Sequence, residues 1–248
     1  MIIWFALVAP VLLVVLWTRA PWAGLAVLAL SHALLLYATL RPNVQWLGPV
    51  VTRFETPAKE VWLTIDDGPT ADTPALLDLL DARGARATFF VKGSLALHEP
   101  AFVRMILARG HRVANHSQTH PSGTFWCLPP ASIAAEIDGC NEALNTITSE
   151  LPRLFRAPVG MKNPWVHPQL RKRRMQLIGW TARGFDSIEH DPGRMVARIL
   201  PRIGPGAIIV MHQGREHSLR CITRLIDELL ATGYALVIPD EGRLKTKR

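Results

Sequence analysis

Hydrophobic positions fall into two regimes along the chain. Ile2 to Trp17 and Trp22 to Leu40 are almost wholly apolar and carry no charge; only Pro10 and the pair Ser31-His32 interrupt them. At 1.5 Å per residue these runs of 16 and 19 residues reach about 24 and 28 Å as helices, against a hydrocarbon core of about 30 Å. Trp4 and Trp17 are placed as interfacial anchors, and Thr18-Arg19-Ala20-Pro21 suits a tight turn. The pattern therefore predicts a transmembrane helical hairpin over 1–41. A cleaved signal peptide is the competing reading, but the chain lacks a charged leading region and a small-x-small cleavage site.

After a linker at 42–57, short apolar runs alternate with helical spacing over 58–248. Val61–Ile65, Ala87–Val91, Leu154-Phe155, Gln176–Trp180, Ala207–Met211 and Ala235–Ile238 read as strands rich in β-branched and aromatic residues. Thr73-Pro74 opens a helix that Gly84 closes, and Glu99–Arg109 forms another, ended by Gly110. Ile133, Ile137, Cys140, Leu144 and Ile147 recur at helical spacing, and further helices span about 192–203 and 218–231. About seven strands alternating with helices predict a parallel α/β architecture with functional residues at strand C-terminal ends.

Charge follows the same division. Residues 1–52 hold only Arg19 and Arg41, whereas all 20 acidic residues lie beyond Phe54. Cys127, Cys140 and Cys221 show no CxxC spacing and read as small buried hydrophobes. Arg171–Arg174 and the tail residues Arg243, Lys245, Lys247 and Arg248 form basic clusters. A solvated surface is their ordinary reading, and attraction to anionic lipid headgroups or a phosphate-linked substrate is the alternative. No aromatic platform or module supports nucleic-acid binding.

The candidate chemistry begins at Thr64-Ile65-Asp66-Asp67-Gly68-Pro69, where an apolar strand runs into a turn carrying two adjacent carboxylates. Buried side by side, such a pair needs a cation or hydrogen-bond donors. His116-Ser117-Gln118-Thr119-His120 places two imidazoles four residues apart, as on one face of a helical turn. A histidine pair with a strand-end Asp supplies three ligands and leaves a fourth position open, the inventory of a catalytic zinc site. The second carboxylate is then a natural general base.

Together these stretches resemble the first two signatures of the polysaccharide deacetylases (NodB-homology domains, carbohydrate esterase family four). Arg156-Ala157-Pro158-Val159-Gly160, Asp186 and Val210-Met211-His212 are similar to the later signatures, in order. The resemblance implies a distorted (β/α) barrel of about seven strands and the removal of an N-acetyl or similar acyl group from an amino sugar. By the same resemblance Asp67, His116 and His120 bind a divalent metal, with zinc as the expected ion, and Asp66 is the base. His212 is the acid for the leaving amine, Arg156 orients Asp66, and Asp186 keeps His212 protonated. The backbone N–H of Val159 would help stabilise the oxyanion, while Trp180 and Val210 wall an acetyl pocket or simply pack.

Two positions depart from the family pattern. Val159 stands where an aromatic residue is usual, and Ser187 where a tryptophan follows the Asp, so acyl specificity and glycan fit are open. The expected partners are an N-acetylated glycan or lipid-linked saccharide and the lipids of a membrane, a bacterial inner membrane on this reading. Arg41, Arg53 and Lys59 after the second span, against Arg19 in the turn, place the catalytic domain in the cytoplasm; the resemblance implies extracytoplasmic glycans. An O-acetyl esterase and a non-catalytic glycan-binding protein are the alternative functions.

Overall fold

The structure, a computed structural model, describes residues 2–246, so Lys247 and Arg248 of the basic tail lie outside the described residues. The apolar runs form helices α1 (Ile2–Leu16) and α2 (Pro21–Leu40), packed against each other. Gly24 permits the contact, since a Cβ there would lie 2.9 Å from the Leu13 Cα. Small residues let helix backbones approach in this way where apolar packing gives no discrimination. The hairpin's outer surface leaves Trp4, Val14 and Trp22 uncovered, at 72, 74 and 81% exposure.

The remaining chain alternates as its pattern predicts. Its first half holds β1 (Val51–Phe54), β2 (Glu60–Gly68), α3 (Thr73–Ala82), β3 (Ala87–Val91), α4 (Gly93–His98), α5 (Pro100–Ala108), β4 (Arg112–Asn115) and α6 (Pro130–Thr148). Then come β5 (Leu154–Phe155), α7 (Val166–Lys172), β6 (Gln176–Leu177), β7 (Ala182–Arg183), α8 (Pro192–Ile199), β8 (Ala207–His212), α9 (Ser218–Ala231), β9 (Ala235–Leu236) and β10 (Leu244–Thr246).

The sheet runs β10-β1-β8-β2-β3-β4-β5-β6, with β7 beside β8 and β9 beside β2. A bridge from Ile178, just after β6, to Val51 of β1 curls it into the expected distorted α/β barrel. Two corrections apply. The sheet is mixed, because β1 is antiparallel to both β8 and β10. That strand lies within the stretch read as a linker. Its four residues are bracketed by Pro49 and Pro57, and their partners lie far along the chain, so no local pattern marks them.

Strand alternation decides what enters the barrel. On β2, Val61, Leu63 and Ile65 pack outward against the helix layer, as do Phe89 on β3 and Ile209 and Met211 on β8. Trp62, Phe90, Ile208 and Val210 turn the other way and fill the interior. Side chains two apart share a face. Asp66 continues the inward row of Trp62 and Thr64, and His212 that of Ile208 and Val210; Asp66 and His212 are register partners.

Lys162 joins the hairpin to the barrel. Its buried Nζ donates to the carbonyls of Arg41 and Pro42, both at 2.9 Å, and Ala38 at 3.5 Å, while its N–H donates to Thr39 O. A cation is favourable at a helix C-terminus, where carbonyls lack intrahelical partners. Burial nevertheless pushes the amine down to about 8. Lys162→Met is expected to leave the Ala38 and Pro42 carbonyls without a donor, while Arg41 O keeps that of Val44 N–H, and to cost about 1–3 kcal/mol, read as earlier unfolding in detergent with faster proteolysis around 41–50.

Candidate active site

The C-terminal ends of β2, β4, β5 and β8 deliver the candidate residues to one mouth of the barrel. His116 follows β4 and Arg156 follows β5, and the ladder continues through them: His116 N–H donates to Val91 O and Arg156 N–H to Asn115 O. Adjacent carboxylates on a strand should diverge, yet both reach the cleft. The pairing of β2 with β3 slips between Asp66 and Gly68, and Asp67 takes a left-handed φ of 75°. This bulge re-aims Asp67 toward the side that Asp66 already faces.

The histidines correct the sequence reading in one respect: they sit on a loop and not on a helical turn. Ser117 and His120 have φ of 67° and 55°. Asn115 fixes the loop by accepting from Ser117 N at 2.7 Å and donating to Ile137 O and to Asn141 Oδ1 on α6. Ser117 Oγ accepts from His120 N, and Glu136 accepts from both the N–H and the hydroxyl of Thr119. The imidazole centroids end 4.6 Å apart.

Asp67, His116 and His120 each offer a ligand atom within 4.8 Å of the other two. Asp67 Oδ1 lies 3.5 Å from His120 Nε2 and 4.0 Å from His116 Nε2; it is buried and lacks a hydrogen-bond partner among the described residues. His116 Nδ1 meets Arg156 O at 2.8 Å, which fixes the proton on that nitrogen and frees Nε2 as a lone-pair donor. Burial holds both imidazoles below their ordinary value, His120 at about 4, so both are neutral at pH 7. Burial opposes the charged form of Asp67, but the positive charges facing it, Lys92 and His212 among them, hold the carboxyl low. Two neutral nitrogens and a carboxylate fit a divalent transition metal.

Arg156 is fully buried, and every bond of its guanidinium is internal. Nη1 donates to Asp66 Oδ1 and Thr64 Oγ1, both at 2.7 Å, Nη2 to Gly179 O and Nε to Ile178 O. The Phe90 ring stacks beneath it at 4.2 Å. Asp66 is thus held by one oxygen, while Oδ2 sits 3.7 Å from His116 Nε2.

Across the cleft, Asp186 accepts from the His212 backbone N–H at 2.7 Å and meets His212 Nδ1 at 3.0 Å. Burial alone would lower the imidazole, but the hydrogen bond and charge of Asp186 carry it above its ordinary value. With Asp186→Asn the imidazole loses that support and its proton leaves at lower pH. The alkaline limb of the rate profile is expected to move down in pH, with activity at neutral pH falling about ten-fold. A purely structural role for Asp186 would lower the rate at every pH without moving the limb.

The polysaccharide deacetylase family model matches residues 53–178. The chain belongs to the polysaccharide deacetylase family. Over 194 residues the chain is 31% identical to a chitooligosaccharide deacetylase of Bradyrhizobium sp. (strain ANU 289), covering 72% of this chain and 88% of the relative. A family 4 carbohydrate esterase from Streptomyces lividans, solved with acetate, matches with a TM-score of 0.68 and 32% identity, over 75% of this chain and 97% of that one. A Bacillus anthracis pseudoenzyme of the same esterase family also matches at 0.68, with 27% identity over 75% and 65% of the two chains.

The fold brings all the candidate residues to one cleft of about 360 Å3, with Arg156 buried behind Asp66. Val159, exposed and left-handed at φ 56°, forms one wall with Trp180 and Val210. Ser187 lines the cleft where the family has its tryptophan, and Phe185 supplies an aromatic edge two residues earlier, stacked on Arg183 at 3.8 Å. Sequence reasoning missed Lys92, whose Nζ lies 3.4 Å from Asp67 Oδ1; its place just after β3 was the available signal. His217 meets the Asp186 carbonyl at 2.7 Å through Nε2. Nothing in the local sequence marks that contact.

Proposed function

We propose that this family member is a membrane-anchored, metal-dependent deacetylase that removes the N-acetyl group of an amino sugar in a glycan or lipid-linked saccharide. The observation that carries the reading is the gathering of Asp67, His116 and His120 within 4.8 Å, beside Asp66 and facing the Asp186–His212 pair. Pseudoenzymes share this fold, so architecture alone is insufficient, and the complete set of side chains supports catalysis. The relative from Bradyrhizobium supports an N-acetylated saccharide as the substrate class.

Zinc held by Asp67, His116 and His120 would act as a Lewis acid on the acyl oxygen and make water more acidic. Asp66 accepts the proton of the attacking water through its free oxygen, while Arg156 fixes the carboxylate's orientation. His212, kept protonated by Asp186, donates to the departing nitrogen, and the product leaves as acetate and a free amine. The Val159 N–H adds a donor for the oxyanion. Trp180 and Val210 enclose the acyl methyl.

The hairpin's uncovered apolar surface supports membrane attachment, with α2 long enough and apolar enough to cross a bilayer. Full-length protein is expected to stay with membranes after alkaline carbonate washing. Purified in detergent, it is expected to release acetate from N-acetylated chitooligosaccharide, to stop on chelation and to resume with zinc. Metal-loaded protein that released no acetate from any N-acetylated saccharide would overturn the reading.

A further inference from the structure

The catalytic cleft continues into a larger recess of about 730 Å3 beside the C-terminal end of α2; the two share Val159, Trp180, Arg183 and Phe185 as walls. Four guanidinium side chains border the recess: Arg41 at the end of α2, Arg53 on β1, Arg183 on β7 and Arg202 in the turn after α8. No acidic residue lines it, and none of the four has a carboxylate within 4 Å among the described residues. This sets them apart from members of the basic clusters noted in the sequence. Arg173 is tied to Asp138, Arg243 to Glu60 and Lys245 to Glu55. Arg183 is half-buried, and burial and Arg202 hold it below its ordinary value, opposed by Asp186.

Like charges gathered around an acid-free recess repel one another unless an anion occupies it. Guanidinium forks match the oxygens of phosphate in shape and charge. The position narrows the source of that anion. The recess opens where the apolar hairpin ends, at the level where a lipid-borne group would meet water, and it leads directly to the metal-ligand cluster.

We infer that the recess is a subsite for the phosphate of a lipid-linked amino sugar. The phosphate sits among Arg41, Arg53, Arg183 and Arg202, its alkyl chain runs toward the hairpin, and the acylated sugar reaches past Trp180 to Asp66 and His212. This rests on the deacetylase reading and narrows its substrate class.

The test compares three substrates with full-length, zinc-loaded protein in uncharged micelles: dodecyl N-acetylglucosaminyl phosphate, dodecyl N-acetylglucosaminide and N-acetylated chitooligosaccharide. The phosphate-bearing lipid is expected to exceed its phosphate-free counterpart in kcat/KM by about ten-fold or more, mainly through KM. Added salt should shrink the advantage. Arg53→Gln with Arg202→Gln, two exposed positions, is expected to remove most of it while the melting temperature holds. Equal kcat/KM for the two dodecyl substrates, or a preference that survives the double variant, would overturn the inference. So would a loss that falls equally on both dodecyl substrates and only in phosphatidylglycerol vesicles, since the arginines would then serve bilayer headgroups. Turnover of chitooligosaccharide without a phosphate preference defeats this inference alone; acetate release from none of the three defeats the deacetylase reading with it.

Discussion

Asp66→Asn is expected to lower kcat about 100- to 10,000-fold, the usual contribution of a positioned general base, while zinc per chain stays at the wild-type level. The substitution keeps the shape of the side chain and an oxygen for Arg156 Nη1, now 2.7 Å from Asp66 Oδ1. It removes the proton-accepting capacity of Oδ2, the oxygen not bound by Arg156. The three proposed ligands are untouched, so metal analysis and turnover should part company. Arg156 is fully buried and would face a neutral amide, and an uncompensated buried charge costs about 3–5 kcal/mol when its partner is removed outright. Asn retains the hydrogen bond and is expected to cost less than Asp66→Ala, which a melting comparison of the two variants reads directly. Near-normal turnover in Asp66→Asn would remove the base assignment.

The residues that could be read from sequence are those whose position follows from strand periodicity. Asp66 and His212 each extend an alternating row, so a buried β2 and β8 leave them facing inward whatever the loops do. The aspartate pair and the histidine pair were legible as candidate metal ligands, yet the histidine loop was not legible as a shape. Spacing of four suggests a helical turn, whereas the left-handed Ser117 and His120 and the clamp of Asn115 depend on α6, a later element. The same limit hid β1, whose pairing with Leu244–Thr246 spans most of the catalytic domain. It hid the arginine recess as well, which assembles four residues from four separate elements. Arg156 shows the opposite case: its motif marked it, but only the fold explains why a guanidinium can be fully buried there, bonded to Thr64, Asp66, Ile178 and Gly179.

His120→Asn separates metal binding from base catalysis from the other side. Asn tolerates the left-handed backbone at φ 55° better than Ala does, so the loop tied by Ser117 Oγ and Glu136 is expected to keep its course. What it lacks is the neutral imidazole nitrogen 3.5 Å from Asp67 Oδ1. Two ligands then remain where three stood, and zinc uptake is expected to fall below stoichiometric. Turnover should drop by about 1,000-fold or more, because Lewis-acid stabilisation is worth several kcal/mol. A second readout does not depend on activity. Zinc that binds only the folded wild type stabilises it by about 2.7 kcal/mol at a concentration 100 times Kd, so the melting temperature should climb with added zinc. In His120→Asn that climb should disappear, whereas Asp66→Asn should keep it. A variant lacking His120 that still took up one zinc per chain and melted higher with it would show that the ion, if bound, is held by other groups. The role of Asp66 would then have to be rebuilt around a different centre, because its only claim to the attacking water is its place beside Asp67, His116 and His120.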